Sequence, residues 1–180
     1  MEDLSLHILD IAENSIAAGA KNLEISIRED TTEDMLTIQI TDDGKGMSAD
    51  ELRKAGDPFY TTRTTRRIGL GLALLDEAAR AANGKMEIHS EPGAGTSVRA
   101  TFQLSHVDRK PLGKMADTII ALIACSRGTE IIYRHERNER TVLFDTREFK
   151  AKLSAGPLSS PEVLNFIQSH LIQQEERLDH

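Results

Sequence analysis

One short segment constrains this chain more than any other. Residues 36–41 alternate through Leu36, Ile38 and Ile40, the pattern of a half-buried strand. They run without a break into Asp42-Asp43-Gly44-Lys45-Gly46-Met47. An acid at a strand end followed by two glycines sets a carboxylate beside unshielded backbone. Such a carboxylate can accept from an exocyclic amine while a flat ligand approaches the main chain. A plain Asp-Gly turn accounts for the same residues, so the rest of the chain must decide.

Residues 3–18 read as a helix. On a 3.6-residue period Leu4, Ile8, Leu9, Ile11, Ala12 and Ile16 form a broad apolar face. His7, Asp10 and Asn14 fall together on the opposite face, which makes His7 a surface histidine. Gly19 stops the helix. Residues 23–29 alternate through Leu23, Ile25 and Ile27 and join the next strand by a Thr-Thr-Glu-Asp hairpin. A long helix runs from Gly71 to about Ala82 and is closed by Asn83-Gly84. Two strands, 86–90 and 97–104, follow around the turn Glu-Pro-Gly-Ala-Gly. Helix, two strands, glycine-rich loop, helix, two strands is the order of an α+β two-layer sandwich. One sheet face is covered by helices and the other is partly open.

A polar linker, residues 106–111, divides the chain into residues 1–105 and a small C-terminal α/β appendage, 106–180. The appendage reads as helix 112–126, strands 130–136 and 140–145 with a tip at Arg137-Asn138-Glu139, short helix 146–153, and final helix 161–178. Ser160 and Pro161 suit the start of that last helix. Its apolar stripe, Val163, Leu164, Ile167, Leu171 and Ile172, is expected to pack on its own module. Cys125 ends an apolar helix and reads as a core residue.

Composition closes off several function classes. At 180 residues, 39% hydrophobic and 28% charged, the chain has the make-up of an ordinary soluble protein. Its longest apolar run, Thr118–Cys125, is too short for a membrane. The acidic N-terminus lacks a secretory signal, and the single cysteine suits a reducing compartment, so the expectation is a cytoplasmic protein without a membrane partner. A net charge of −7 argues against generic nucleic-acid binding. The six histidines lack the spacing of a zinc site.

Three further motifs accompany the Asp-x-Gly-x-Gly segment. Gly69 and Gly71 open a helix, where free backbone N–H groups and the helix dipole favour an anion. Thr61–Arg67, with Arg63, Arg66 and Arg67, has the look of a mobile lid able to grip phosphates. Gly93-Ala94-Gly95-Thr96 precedes the last strand of the first half, and its threonine hydroxyl could reach a base through water. Asn14 sits in mid-helix, where asparagine is a poor helix former. Each is weak alone, but together their order is specific.

The series resembles the Bergerat (GHKL) ATP-binding domain shared by DNA gyrase, heat-shock chaperones, histidine kinases and MutL. Glu13–Ile27 is similar to the N-box of MutL-type proteins, Asp57–Leu74 to the F-box and second glycine box of sensor histidine kinases, and Glu91–Phe102 to their third glycine box. The resemblance spans about residues 4–104. It implies ATP and Mg²⁺ as ligands. Asn14 would coordinate Mg²⁺ and Asp42 would accept from the adenine amino group. Gly44 and Gly46 would line the base pocket, and Gly69 and Gly71 would face phosphate. Thr96 would support a water between Asp42 and adenine, and Phe59 would fix the lid. Arg63, Arg66 and Arg67 have no direct family counterpart. The family's ATPases place a glutamate four residues before the asparagine as general base. Here Asp10 holds that position, one methylene shorter, which implies slow hydrolysis.

Only 13 residues precede Asn14, too few for a phosphoacceptor hairpin. The expected role is therefore a histidine-kinase-like regulatory protein, a nucleotide-controlled switch or a kinase acting on a regulatory protein partner. The alternative is a weak ATPase that forms a homodimer on ATP.

Overall fold

The computed structural model describes residues 3–55, 70–126, 128–153 and 156–179. The elements are α1 (Leu4–Ala17), β1 (Asn22–Asp30), β2 (Met35–Asp42), α2 (Ala49–Ala55), α3 (Leu70–Ala81), β3 (Lys85–Glu91), β4 (Gly95–Gln103), α4 (Met115–Cys125), β5 (Glu130–Arg137), β6 (Arg140–Asp145), α5 (Thr146–Lys152) and α6 (Pro161–Asp179). They form the expected α+β sandwich, helices packed on one face of a single sheet ordered β3-β4-β2-β1-β5-β6.

Alternation puts the apolar set of each strand under the helices. Leu23, Ile25 and Ile27 of β1 lie beside Leu36, Ile38 and Ile40 of β2, and all six are at most 2% exposed. Residues between them, such as Glu24, Ser26, Arg28 and Gln39, face away into an open polar surface. The Thr-Thr-Glu-Asp hairpin closes where expected, with Asp34 at φ 52°, and Asn83 and Asn138 take the same left-handed conformation at their turns. Asparagine and aspartate tolerate it because their short polar side chains bond locally. The Asn138 side chain also ties its turn to the distant β1–β2 turn, its Oδ1 accepting from Thr31 N and Oγ1 at 3.1 and 2.9 Å.

The C-terminal segment extends this same sheet. β5 pairs parallel to β1, with Leu23 opposite Ile131 and Ile27 opposite His135. The junction is stitched by Glu130 N donating to Lys21 O at 2.8 Å and Thr129 Oγ1 to Ala20 O at 2.8 Å. The linker then straps the start of α1: Leu4 N donates to Pro111 O and Ser5 N to Leu112 O, at 2.9 and 2.8 Å. Both amides are ones a helix cannot satisfy itself. α2, absent from the sequence reading, begins at a reciprocal cap in which Ser48 N donates to Glu51 Oε2 at 2.8 Å and Glu51 N to Ser48 Oγ at 3.3 Å.

Two side chains depart from expectation. His7 is not on a solvent face: it is 0% exposed, because α1 packs against the sheet, α3 and α4 at once. Cys125 is exposed rather than in the core, because it is the last residue of α4, beyond the buried Leu122 and Ile123. No described helix is long and apolar enough to cross a membrane.

Candidate functional site

The end of β2 is where the sheet, α1 and the glycine loop converge. Asp42 pairs with Leu23 on one side and Thr96 on the other, and is 9% exposed. Its carboxylate is held at both oxygens: Ser15 Oγ donates to Oδ2 at 2.6 Å and Gly44 N donates to Oδ1 at 2.8 Å. A carboxylate offers about four lone-pair directions, so acceptor capacity remains. The neighbouring Asp43 does different work. It accepts from Lys21 N, Asn22 N and Asn22 Nδ2 at 2.7, 2.9 and 2.8 Å, tying the loop to the start of β1. The Asn22 side-chain bond is the main reason its pKa lies below the usual carboxylate value.

A pocket opens over Asp42. Asn14 and Ser15 of α1, Lys45, Gly46 and Met47 of the loop, Leu72 of α3 and Thr96 of β4 surround it, with Ile11, Ile40 and Val98 as its apolar wall. The glycines set its shape. Gly46 sits at φ 66° where a Cβ would collide with Glu91 O, and Gly95 at φ 90° where it would collide with Asp42 O. At Gly44 a Cβ would stand 2.9 Å from Asp42 Oδ1 and 3.2 Å from Ala18 O, crowding the carboxylate out of position. Thr96 is fixed by Ser90: the two hydroxyls lie 2.9 Å apart, and Ser90 Oγ also accepts from Met47 N at 2.8 Å.

Thus Asn14, Asp42, Gly46 and Thr96 come together in one pocket, with Gly44 behind Asp42. Asp10 and Gly71 meet beside it, and a Cβ at Gly71 would collide with the Asp10 carboxylate. The small residue lets α3 begin directly against α1. Phe59, Arg63, Arg66, Arg67 and Gly69, with the lid they belong to, lie outside the described residues. Sequence reasoning missed Ser15, Lys45, Met47, Leu72 and Ser90. Ser15, next to Asn14 in the helix, carries no local signal of its role, which only the approach of β2 reveals.

The pocket joins a buried carboxylate with spare acceptor capacity to a backbone cradle and to the start of a helix, a combination suited to a nucleotide. The comparisons agree. Residues 2–106 match the family of histidine kinase-, DNA gyrase B- and HSP90-like ATPases. The chain is 32% identical over 112 residues to the non-motile and phage-resistance protein of Caulobacter vibrioides, covering 57% of this chain and 13% of that protein. It is 36% identical over 110 residues to the sensor protein kinase FleS of Pseudomonas aeruginosa, covering 61% and 27%. The chain therefore spans little more than a quarter of these relatives at most. In fold it is similar to the N-terminal domain of a DNA repair protein, with a TM-score of 0.56 at 16% identity, covering 79% of this chain and 52% of that one. With the family matched over more than half of its length, the chain belongs to the histidine kinase-, DNA gyrase B- and HSP90-like ATPases, a family that binds ATP.

Proposed function

We propose that this protein binds ATP with Mg²⁺ in the pocket over Asp42 and acts as a nucleotide-controlled regulator of a partner protein, by switching or by phosphoryl transfer. The observation that carries the reading is the Asp42 carboxylate, oriented by Ser15 and Gly44 in a pocket whose loops approach so closely that Gly46 and Gly95 have no room for a side chain.

The residues fit the ligand. Asp42 would accept from the exocyclic amine of adenine, and Ile11, Ile40 and Val98 would cover the apolar faces of the ring. Thr96 would hold a bridging water. Asn14 would offer one oxygen to Mg²⁺, consistent with a cation that takes one or two protein ligands and completes its shell with phosphate and water. Bound ATP would supply the transferable phosphoryl group, with Mg²⁺ offsetting its charge. Asp10, against the first turn of α3, would face the phosphate end and orient a water or an incoming hydroxyl. Sensor kinases among the relatives support a signalling output.

Calorimetry with ATP, with and without Mg²⁺, tests the reading. Removing the acceptor in Asp42→Ala leaves the amine unpaired, which costs about 1–3 kcal/mol, a loss of about 5- to 150-fold in affinity. Asn14→Ala should weaken only the magnesium-dependent part. Unchanged affinity in Asp42→Ala would remove the pocket from consideration. Transfer from γ-labelled ATP to a protein in cell lysate would select phosphotransfer over switching. ATP-dependent dimerisation with hydrolysis would select the ATPase alternative.

A further inference from the structure

The sheet ends at β6, and among the described residues no strand pairs with its outer edge. The hydrogen bonds of β5 decide which backbone groups point that way. Glu130 N donates to Lys21 O and Asn138 N to Glu29 O, at 2.8 and 3.0 Å, so the even-numbered residues of β5 face β1. Its odd-numbered residues therefore face β6, where Tyr133 pairs with Phe144, His135 with Val142 and Arg137 with Arg140. The N–H and C=O of one residue point to the same side of a strand, and successive residues alternate. Thr141, Leu143 and Asp145 accordingly turn their N–H and C=O groups to the open edge.

The side chains at this edge are of the kind that pairing buries. Leu143 is 54% exposed on the open face of the sheet, whereas Val142 and Phe144 are buried under the helices. Below the same edge the Phe149 ring centre lies 5.1 Å from that of Phe144 and 6.1 Å from that of Phe166, and Phe166 is 59% exposed. The opposite edge of the sheet is built differently. There β3 presents Lys85, Glu87 and Glu91 to solvent, the charged guard by which a strand edge resists pairing. β6 carries no charge at Thr141 or Leu143.

We propose that β6 is a homodimer interface: two copies of the chain pair antiparallel through Thr141, Leu143 and Asp145, about a two-fold axis at Leu143, and join their sheets without any need for nucleotide. The occupant is a second copy because the edge is complementary to itself. Antiparallel pairing through outward groups must match odd-numbered residues with odd-numbered ones, and the register centred on Leu143 is the one that uses all three. It sets Leu143 against Leu143 of the second copy, an apolar contact on the axis, and Thr141 opposite Asp145 on either side of it. The Thr141 hydroxyl can donate, and the Asp145 carboxylate, which also takes the Arg147 guanidinium, accepts, so no like charges oppose. A two-fold contact requires such a self-complementary patch. The axis stands normal to the sheet, so the Phe149–Phe166 clusters of both copies lie on one side of the joined sheet. None of these residues lines the pocket over Asp42, so the pairing does not depend on a ligand there.

Sedimentation equilibrium of the full chain without nucleotide tests the pairing, and a dimer should form as concentration rises. Leu143→Lys changes an exposed side chain and sets two ammonium groups face to face. It should raise the dissociation constant roughly tenfold or more while circular dichroism is unchanged. Amide exchange followed by NMR reads the register in the wild type itself. The Thr141 and Leu143 amides should be protected in the dimer, and the Thr141 amide should exchange fast in Leu143→Lys, while Val142 and Phe144 are protected in both proteins. A chain that stays monomeric at every attainable concentration overturns the proposal. So does a dimer that Leu143→Lys leaves intact, or one in which the Thr141 and Leu143 amides still exchange fast. Association that appears only with ATP overturns it as well, because it would place the interface at the Asp42 end.

Discussion

His7 makes a quantitative prediction about stability. Its ring is fully buried in α1, and among the described residues neither Nδ1 nor Nε2 has a hydrogen-bond partner. Desolvation by burial, and then the nearby Lys110 charge, lower its pKa from 6.5 to about 4. The unfolded chain takes up a proton near pH 6.5, whereas the folded chain resists until about pH 4. Between those values the unfolded state binds more protons, so stability falls as pH falls. The full effect is about 3 kcal/mol, at about 1.4 kcal/mol per pH unit of separation, and it is complete below pH 4. From pH 7 to pH 5 it amounts to about 2 kcal/mol. Other groups titrate in this range, so the test is a comparison. Urea unfolding of wild type and His7→Leu at both pH values should show a pH-dependent loss smaller by about 2 kcal/mol in the variant. The variant should also be the more stable at pH 7, by about 1–3 kcal/mol, because it no longer buries two unpaired polar atoms. The same pH dependence in both proteins would refute the reasoning.

Other outcomes follow from the site. Ser15→Ala removes the 2.6 Å donor to Asp42, and calorimetry should show ATP binding weakened roughly tenfold with the fold intact by circular dichroism. Gly46→Ala places a Cβ against Glu91 O at a left-handed φ of 66°, and denaturant titration should show a loss of more than about 1 kcal/mol. Asp10→Glu restores the reach of the usual general base. If the short side chain limits turnover, phosphate release should rise by as much as about 100-fold, and an unchanged rate would show that it does not.

Much of the architecture was legible from local pattern. The alternation of Leu23, Ile25 and Ile27 and of Leu36, Ile38 and Ile40 identified the two central strands and their buried face, and Asn83 and Asn138 marked turns that close in the left-handed conformation. The Asp-x-Gly-x-Gly segment put Asp42 at the end of its strand, and the family resemblance, not helical spacing, picked out Asn14, which lines the same pocket. α2 was also legible in principle, since Ser48 and Glu51 are three residues apart and cap each other reciprocally, though the helix is short.

What escaped the sequence is whatever depends on a distant partner. Periodicity says which side of α1 is more apolar, but α3 and α4 pack beside it and bury His7 on the side that looks polar. Ser15 is an ordinary helical serine until β2 brings the Asp42 carboxylate to 2.6 Å, and Tyr133 and His135 are alternate residues of a strand until β1 and α6 close on them. The same holds for the parallel pairing of β5 with β1, which joins the C-terminal segment to the main sheet. Hydrophobic alternation settles which face of a strand is buried, because that is a property of neighbouring residues. It carries no information on which strand lies alongside, because that is decided by hydrogen bonds and packing between residues about a hundred positions apart.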